Sequence, residues 1–456
     1  MRRSALACSL LCLSLLAGCA NLAPDYTRPE LPVPVTVDGT AATTKSFVQP
    51  SWQRLVTDER LRNVIELALN NNRDLRIAAL NIDKARAQYR IEDTARYPSV
   101  DASASGTSAR YDGAITRKYS VGLGISSYEL DFFGRLTNLK DSALQSFLAT
   151  EATQRSVRTS LVAEVANAWL TLATDQDLLR LSQDTWDSRK KTLDLTRRQQ
   201  VLGGASGLVV AQAQASAETA RGDVGNYTSQ VAQDRNALTL LVGTSVSGDL
   251  LPTASDSIGT SVALLDVPDG MSSEVLLQRP DIVSAEHTLI GSYGDIGAAR
   301  AAFFPSITLT ASGGTASPSL SGLFDSGSRA WSFIPTLTLP IFNAGSLSAS
   351  LKIAEVGRDI QVATYEKTVQ TAFKEVADAL AVRATLNERT SAQKGEVDAY
   401  ATSLRLSTER YRSGADSYLS VLDAQRSLYS AQKNLISLQL AEQSNRITLF
   451  KVLGGE

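Results

Sequence analysis

The stretch KYSVGLGISSYELDFFGR, residues 118–135, carries two different periods with no proline between them. Tyr119, Val121, Leu123 and Ile125 alternate with Ser120, Gly122, Gly124 and Ser126, the pattern of a strand with one apolar face. The phase slips at Ser126-Ser127 and resumes as Tyr128, Leu130 and Phe132. From Arg135 the alternation stops. Neither glycine nor proline occurs from 135 to 202, and good helix formers fill that span. A helix of about 65 residues is about 100 Å long. Such a helix cannot bury its apolar stripe alone, so it must pack against others. A soluble sandwich shares the strand pattern but does not grow arms of this kind. Strands of about 9–11 residues, small and polar on one side and apolar on the other, fit a transmembrane barrel.

The chain is written twice. Tyr97-Pro98-Ser99-Val100 returns as Phe304-Pro305-Ser306-Ile307, and Glu164-Val165-Ala166-Asn167-Ala168 returns as Glu375-Val376-Ala377-Asp378-Ala379. Leu241-Val242-Gly243 returns as Val452-Leu453-Gly454, and Gly204-Ala205-Ser206-Gly207 matches Gly414-Ala415-Asp416-Ser417. The offset stays at about 210 residues, far longer than a solenoid repeat. Each copy predicts a helix (61–96 and 273–302), two strands and two long helices. The strands are expected at about 99–110 and 118–132, then 306–314 and 330–341; the second long helix spans 347–413 despite Gly357 and Gly395. Gly203-Gly204 and Ser413-Gly414 stop the two long helices, each before a returning helix. The expected organisation is thus a signal peptide at 1–18, an N-terminal segment at 19–60, repeat 1 at 61–243, a linker at 244–272 and repeat 2 at 273–456. Four strands cannot close a barrel, and an open edge in lipid leaves unpaired backbone groups at several kcal/mol each. The chain must therefore associate. Three copies supply twelve strands, although strand count alone also allows two or four.

Composition excludes much else. Lys and Arg number 45 against 47 Asp and Glu, a net charge of −2, so nothing points to nucleic acid. The single histidine, His287, reads as an ordinary helix residue; a metal site or a His-based catalytic triad is not supported. There is no G-x-S-x-G elbow, and no cofactor is expected. At the N-terminus, Arg2 and Arg3 precede an apolar run from Ala5 to Ala17, too short to span a bilayer and typical of a signal peptide. The run ends in Leu16-Ala17-Gly18-Cys19, which resembles a bacterial lipobox. Cleavage before Cys19 would leave one cysteine, so no disulfide forms within the mature chain. Two residues on stands Asn21, where the resemblance to sorting signals favours the outer membrane.

These segments together resemble the TolC-type outer-membrane efflux channels, in the OprM-like lipoprotein branch. The carrying motifs are Pro24-Asp25-Tyr26 with Arg28-Pro29, and Tyr128 through Arg135. Arg279-Pro280-Asp281-Ile282, Phe303-Phe304-Pro305, Pro340-Ile341-Phe342 and Leu422-Asp423-Ala424-Gln425-Arg426 complete them. Tyr128 departs from the tryptophan common among relatives but keeps an aromatic. The resemblance implies an α+β membrane protein: a homotrimer whose 12-stranded outer-membrane barrel, four strands per chain, continues into a long periplasmic helical barrel. It implies an equatorial belt from residues 244–272 and both termini, and lipid attachment at Cys19. It implies a passive exit duct for small molecules in a tripartite pump, opened by a periplasmic adaptor (a membrane fusion protein) and fed by an inner-membrane transporter of the RND type. A duct for protein or peptide secretion, or a non-channel envelope lipoprotein, are the alternatives.

Two groups of site residues follow. The turns Gly203, Gly204, Ala205, Ser206 and Gly414, Ala415, Asp416 expose backbone that an adaptor's tip could pack against. Just beyond the second turn Leu419, Asp423 and Arg426 fall at i, i+4 and i+7, on one helical face. The resemblance assigns these three, with Tyr411, to a periplasmic gate. Repeat 1 carries Val209, Ala213 and Ser216 at the matching places, which restricts a charged lock to repeat 2. A merely solvated Asp423–Arg426 pair would contribute only about 0.3–0.5 kcal/mol.

Overall fold

The computed structural model describes residues 21–37, 49, 51–253 and 261–455; Cys19 and the signal segment lie outside them. Helices α1 (Glu59–Asn71) and α2 (Arg73–Thr94) lead to strands β1 (Asp101–Tyr111) and β2 (Ala114–Leu130), then to α3 (Arg135–Val201) and α4 (Gly207–Val242). The second copy repeats the order with α5 (Pro280–Ala301), β3 (Ser306–Ser317), β4 (Arg329–Thr338), α6 (Ser346–Arg412) and α7 (Tyr418–Val452). Helices α3 and α6 are each 67 residues long, so Gly357 and Gly395 do not interrupt the second. The described residues divide into two compact units, one drawn from residues 21–30, 80–152 and 283–368, the other from those within 31–79, 153–282 and 369–455.

The first unit holds one antiparallel sheet in the order β1-β2-β3-β4. Register puts Leu123, Gly313 and Trp331 side by side, then Ile125, Ala311 and Phe333, then Leu130, Ile307 and Leu337, all on one face. On the other face Ser105 meets Ser120 and Ser312 meets Ser332, each at 2.8 Å. The phase slip is a β-bulge between Ile125 and Tyr128, with Ser127 at φ 54° and its N–H donating to Thr310 Oγ1 at 3.3 Å. The extra residue puts Tyr128 and Leu130 back on the apolar side. Where β2 and β3 join the two repeats, a side chain on Gly314 would come within 2.2 Å of the Val121 carbonyl, so glycine is required. β1 and β4 are both edges. Their ends shift from expectation: β1 begins two residues later, β2 runs from Ala114 rather than 118, β3 reaches Ser317, and β4 stops at Thr338. The hairpin turn at Asp112-Gly113 is so tight that pairing starts almost at the turn.

The second unit has its core where α1, α3 and α4 meet, around Leu61, Ile65, Trp169, Leu170 and Leu238, all with 1% exposure or less. The helix expected over 61–96 is broken at Asn72. Its Oδ1 accepts from Leu75 N–H at 2.8 Å, starting α2, while its Nδ2 donates to the Leu241 carbonyl at 2.7 Å. A similar correction applies to 273–302. A 3₁₀ segment, Ser273–Gln278, ends at the extended Arg279, and α5 begins at Pro280, a residue suited to the first helical position. Arg279 binds the Val452 carbonyl at 2.8 Å, Asp281 at 2.7 Å and Glu375 at 2.8 Å. N-terminal and linker segments pair through bridges at Thr36–Ser272 and Val56–Val262.

Candidate functional site

Both helical hairpins turn on the same backbone device. Gly203 (φ 78°) and Gly414 (φ 75°) adopt the left-handed conformation that terminates a helix. The Gly204 N–H donates to the Gln199 carbonyl at 2.7 Å, and the Ala415 N–H donates to the Arg410 carbonyl at 2.9 Å. Ser206 caps α4, its hydroxyl accepting from Val209 N–H. Ala205 is half-buried in the first turn, as Asp416 is in the second. Side-chain chemistry then separates the turns. The first is flanked by Val201 and Leu202, 87% and 85% exposed, and by exposed Leu208. The second is spanned by Arg410, which binds Asp416 at 2.5 and 3.1 Å. That hydrogen bonding holds the Asp416 carboxyl below the usual range. The sequence reading missed Arg410.

Beneath the turns one apolar cluster joins all four helices: Leu193 from α3, Ala213 and Ala217 from α4, and Tyr418, Val421 and Leu422 from α7, with Leu404 and Tyr411 of α6 against it. The Tyr411 ring lies 5.3 Å from Tyr418. Tyr411 is thus part of the packing between hairpins. Leu419, one position from buried Tyr418, is 53% exposed, and Asp423 and Arg426 are exposed on the same face. Among the described residues no ion pair joins Asp423 to Arg426. The matching triplet of repeat 1 is packed inward: Ala213 and Ser216 are buried and Val209 lies against the cluster. One face of α7 therefore presents an aligned apolar, acidic and basic residue to solvent.

Further along the hairpins lie polar contacts that single-residue reading could not find, because their partners are distant in sequence. Buried Arg189 donates to the Ser216 carbonyl at 3.0 Å and stacks 5.3 Å from the Tyr429 ring. The Tyr429 hydroxyl donates to Asp223 and meets Ser182, each at 2.8 Å. Burial, with the Asp223 carboxylate alongside, pushes Tyr429 up to about 12.

In the first unit, residues 22–28 form a strap on α5. Arg28 binds Glu286 at 2.7 and 2.9 Å, Tyr26 donates to the same carboxylate at 2.9 Å, and Tyr26 meets Tyr293 edge-on. Arg300 donates to the Leu22 carbonyl at 3.2 Å. Gly297 makes the room, since a Cβ there would lie 2.8 Å from that of Ala23. The strap thus runs antiparallel to α5, and Leu22 is held six residues before the first residue of β3. His287 of the same helix bonds Gln145 at 2.7 Å. Among the described residues no cluster of three or more His, Cys, Asp or Glu could hold a metal, and no helix is long and apolar enough to cross a membrane.

A strand set with one apolar and one small polar face, carried on two duplicated helical hairpins, matches one family along nearly its whole length. The outer membrane efflux protein model matches twice, at residues 64–244 and 271–455, once per repeat. This chain belongs to the outer membrane efflux protein family. It is 44% identical to the toluene efflux pump outer membrane protein TtgC of Pseudomonas putida, covering 97% of this chain and 93% of the relative. It is 42% identical to the cation efflux system protein CusC of Escherichia coli, covering 98% and 99%. A crystal structure of CusC, described in terms of transmembrane channel formation, superposes with TM-score 0.89 at 41% identity, covering 95% of this chain and all of that one. The efflux family member described here is accordingly an outer-membrane channel protein of an efflux pump. Its fold mixes four membrane strands per chain with long helices, and much of it is periplasmic.

Proposed function

We propose that this chain assembles as a homotrimer into a passive exit duct, sealed at rest at its periplasmic tip and opened there by an adaptor protein in concert with an inner-membrane transporter of the RND type. What supports the seal is the exposed row Leu419, Asp423 and Arg426, whose acid and base form no ion pair among the described residues. Around a threefold axis the row recurs three times. Leucines would narrow the aperture while acid and base pair between neighbours. An exposed ion pair is weak, so an adaptor can break it, and threefold repetition strengthens the closed state. Tyr411 contributes by holding α6 against α7 beneath the row.

The two turns suit adaptor contact in different ways, the first through Val201, Leu202 and Leu208 and the second through the Arg410–Asp416 pair. Bulky replacements, Gly204→Trp and Gly414→Trp, are expected to reduce crosslinking to the adaptor several-fold while trimers persist. Undiminished crosslinking with intact trimers would mean that the glycines only reverse the chain. Lipidation at Cys19 is supported by the sequence Leu16-Ala17-Gly18-Cys19, which resembles a bacterial lipobox. The intact mass of the mature N-terminus is expected to carry diacylglycerol and an acyl chain on Cys19; an unmodified cysteine there speaks against the anchor. Relatives named for toluene and for cations are almost equally similar to this chain. We therefore read the duct as unselective, with cargo chosen by the transporter.

A further inference from the structure

A cavity of about 420 Å³ opens in the second unit between the linker and helices α6 and α7. Leu264, Val267 and Pro268 of the linker form one wall, and Leu380 and Leu449 form part of the opposite one. Its polar groups are unequal. Glu442 is committed to Arg446 at 2.5 Å, and Arg446 donates again to the Val262 carbonyl at 2.5 Å. Asn445 donates to the Ala379 carbonyl at 2.9 Å. Arg383 is different: it makes no hydrogen bond or ion pair among the described residues, and its Nη1 is shielded from solvent without a partner. Nη1 is closed to an arriving ligand, but the rest of the unpartnered guanidinium lines a recess that is about half polar and half apolar, where it can pair with an arriving anion. The only other uncommitted charge on the lining, among the described residues, is exposed Asp269, which disfavours a second negative group.

We propose that this cavity is a binding site for an amphipathic monocarboxylate, the carboxylate held by Arg383 and the hydrocarbon part packed between linker and helices. A planar guanidinium suits the two oxygens of a carboxylate, the half-polar, half-apolar lining suits an amphipathic occupant, and the volume falls within the range of small-molecule sites. The occupant clamps the linker between the repeats against α6 and α7. Arg383 lies 29 residues before the end of α6 at Arg412, roughly 44 Å along the helix, so the site neither depends on the gate nor tests it.

Octanoate is the probe, titrated into the purified full chain in a non-ionic detergent, with octylamine and octanol as controls for partition into micelles. Saturable binding of one octanoate per chain is expected, read by calorimetry and by a rise in thermal midpoint, with no such response to octylamine. Arg383→Leu is expected to weaken binding at least tenfold, and Arg383→Lys less so. Val267→Trp, which fills the apolar wall, is expected to abolish it while circular dichroism stays unchanged. Absence of saturable binding, an equal response to octanol, or undiminished binding by a folded Arg383→Leu variant would overturn the proposal.

Discussion

Single residues do their work here through what stands opposite them. Asp175 of α3 faces Asp234 of α4, and Gln230 donates to the Asp234 carboxylate at 3.1 Å. Burial, then the hydrogen bond and the repulsion from Asp234, push Asp175 up to about 7. The folded hairpin therefore holds a proton that the unfolded chain releases near pH 4. With the folded value raised, the stability from this pair is fully present below about pH 4 and is lost as pH rises through about 7. We expect the thermal midpoint of the parent to fall between pH 5 and pH 8, and Asp175→Asn to flatten that fall. Parallel curves for parent and variant would show that the two carboxylates do not share a proton. None of this was legible in the sequence, because 59 positions separate the two acids and nothing near either marks it. Leu419, Asp423 and Arg426 were legible because their spacing alone fixes a common face. Tyr411 was reached only through the resemblance, since its place beside Tyr418 depends on the packing of α6 against α7.

Elements were read more fully than residues, since periodicity is a property of elements. The alternation over 119–132 gave the strand, and the absence of glycine and proline from 135 to 202 gave α3 within a residue. Breaks at Asn72 and Arg279 were hidden, for an asparagine inside a helical pattern looks harmless until its side chain caps the next helix. The bulge at Ser127 is the feature of the sheet most open to test. Beyond it, Tyr128 and Leu130 share a face with Ile125 only because one extra residue intervenes. Ser127→Val, which resists positive φ, is expected to close the bulge and turn Tyr128 and Leu130 to the small polar face. Membrane-inserted, heat-modifiable oligomer should then drop severalfold in outer-membrane fractions, whereas Ser127→Asn, which tolerates positive φ, should assemble like the parent. Normal assembly of Ser127→Val would mean that the bulge does not depend on the conformation of residue 127.

At the scale of the whole molecule, duplication and incompleteness are two sides of one design. Each copy supplies two strands and a hairpin, and the two copies still leave β1 and β4 as open edges with an apolar face between them. Such a sheet is stable in lipid only when other copies close it. The repeat offsets announced the duplication, and the strand count announced that one chain is not enough. What breaks the symmetry is at the tips. There Val209, Ala213 and Ser216 turn inward in repeat 1, while Leu419, Asp423 and Arg426 stand outward in repeat 2. We propose that this difference is the basis for a duct that is shut at rest. It is tested most directly by the conductance of purified protein in planar bilayers, parent against Leu419→Ala/Asp423→Ala. The account predicts small, rare openings for the parent and a several-fold larger, stable conductance for the double variant, with trimer stability nearly unchanged. A double variant that conducts like the parent, or no discrete channel from either, would contradict it.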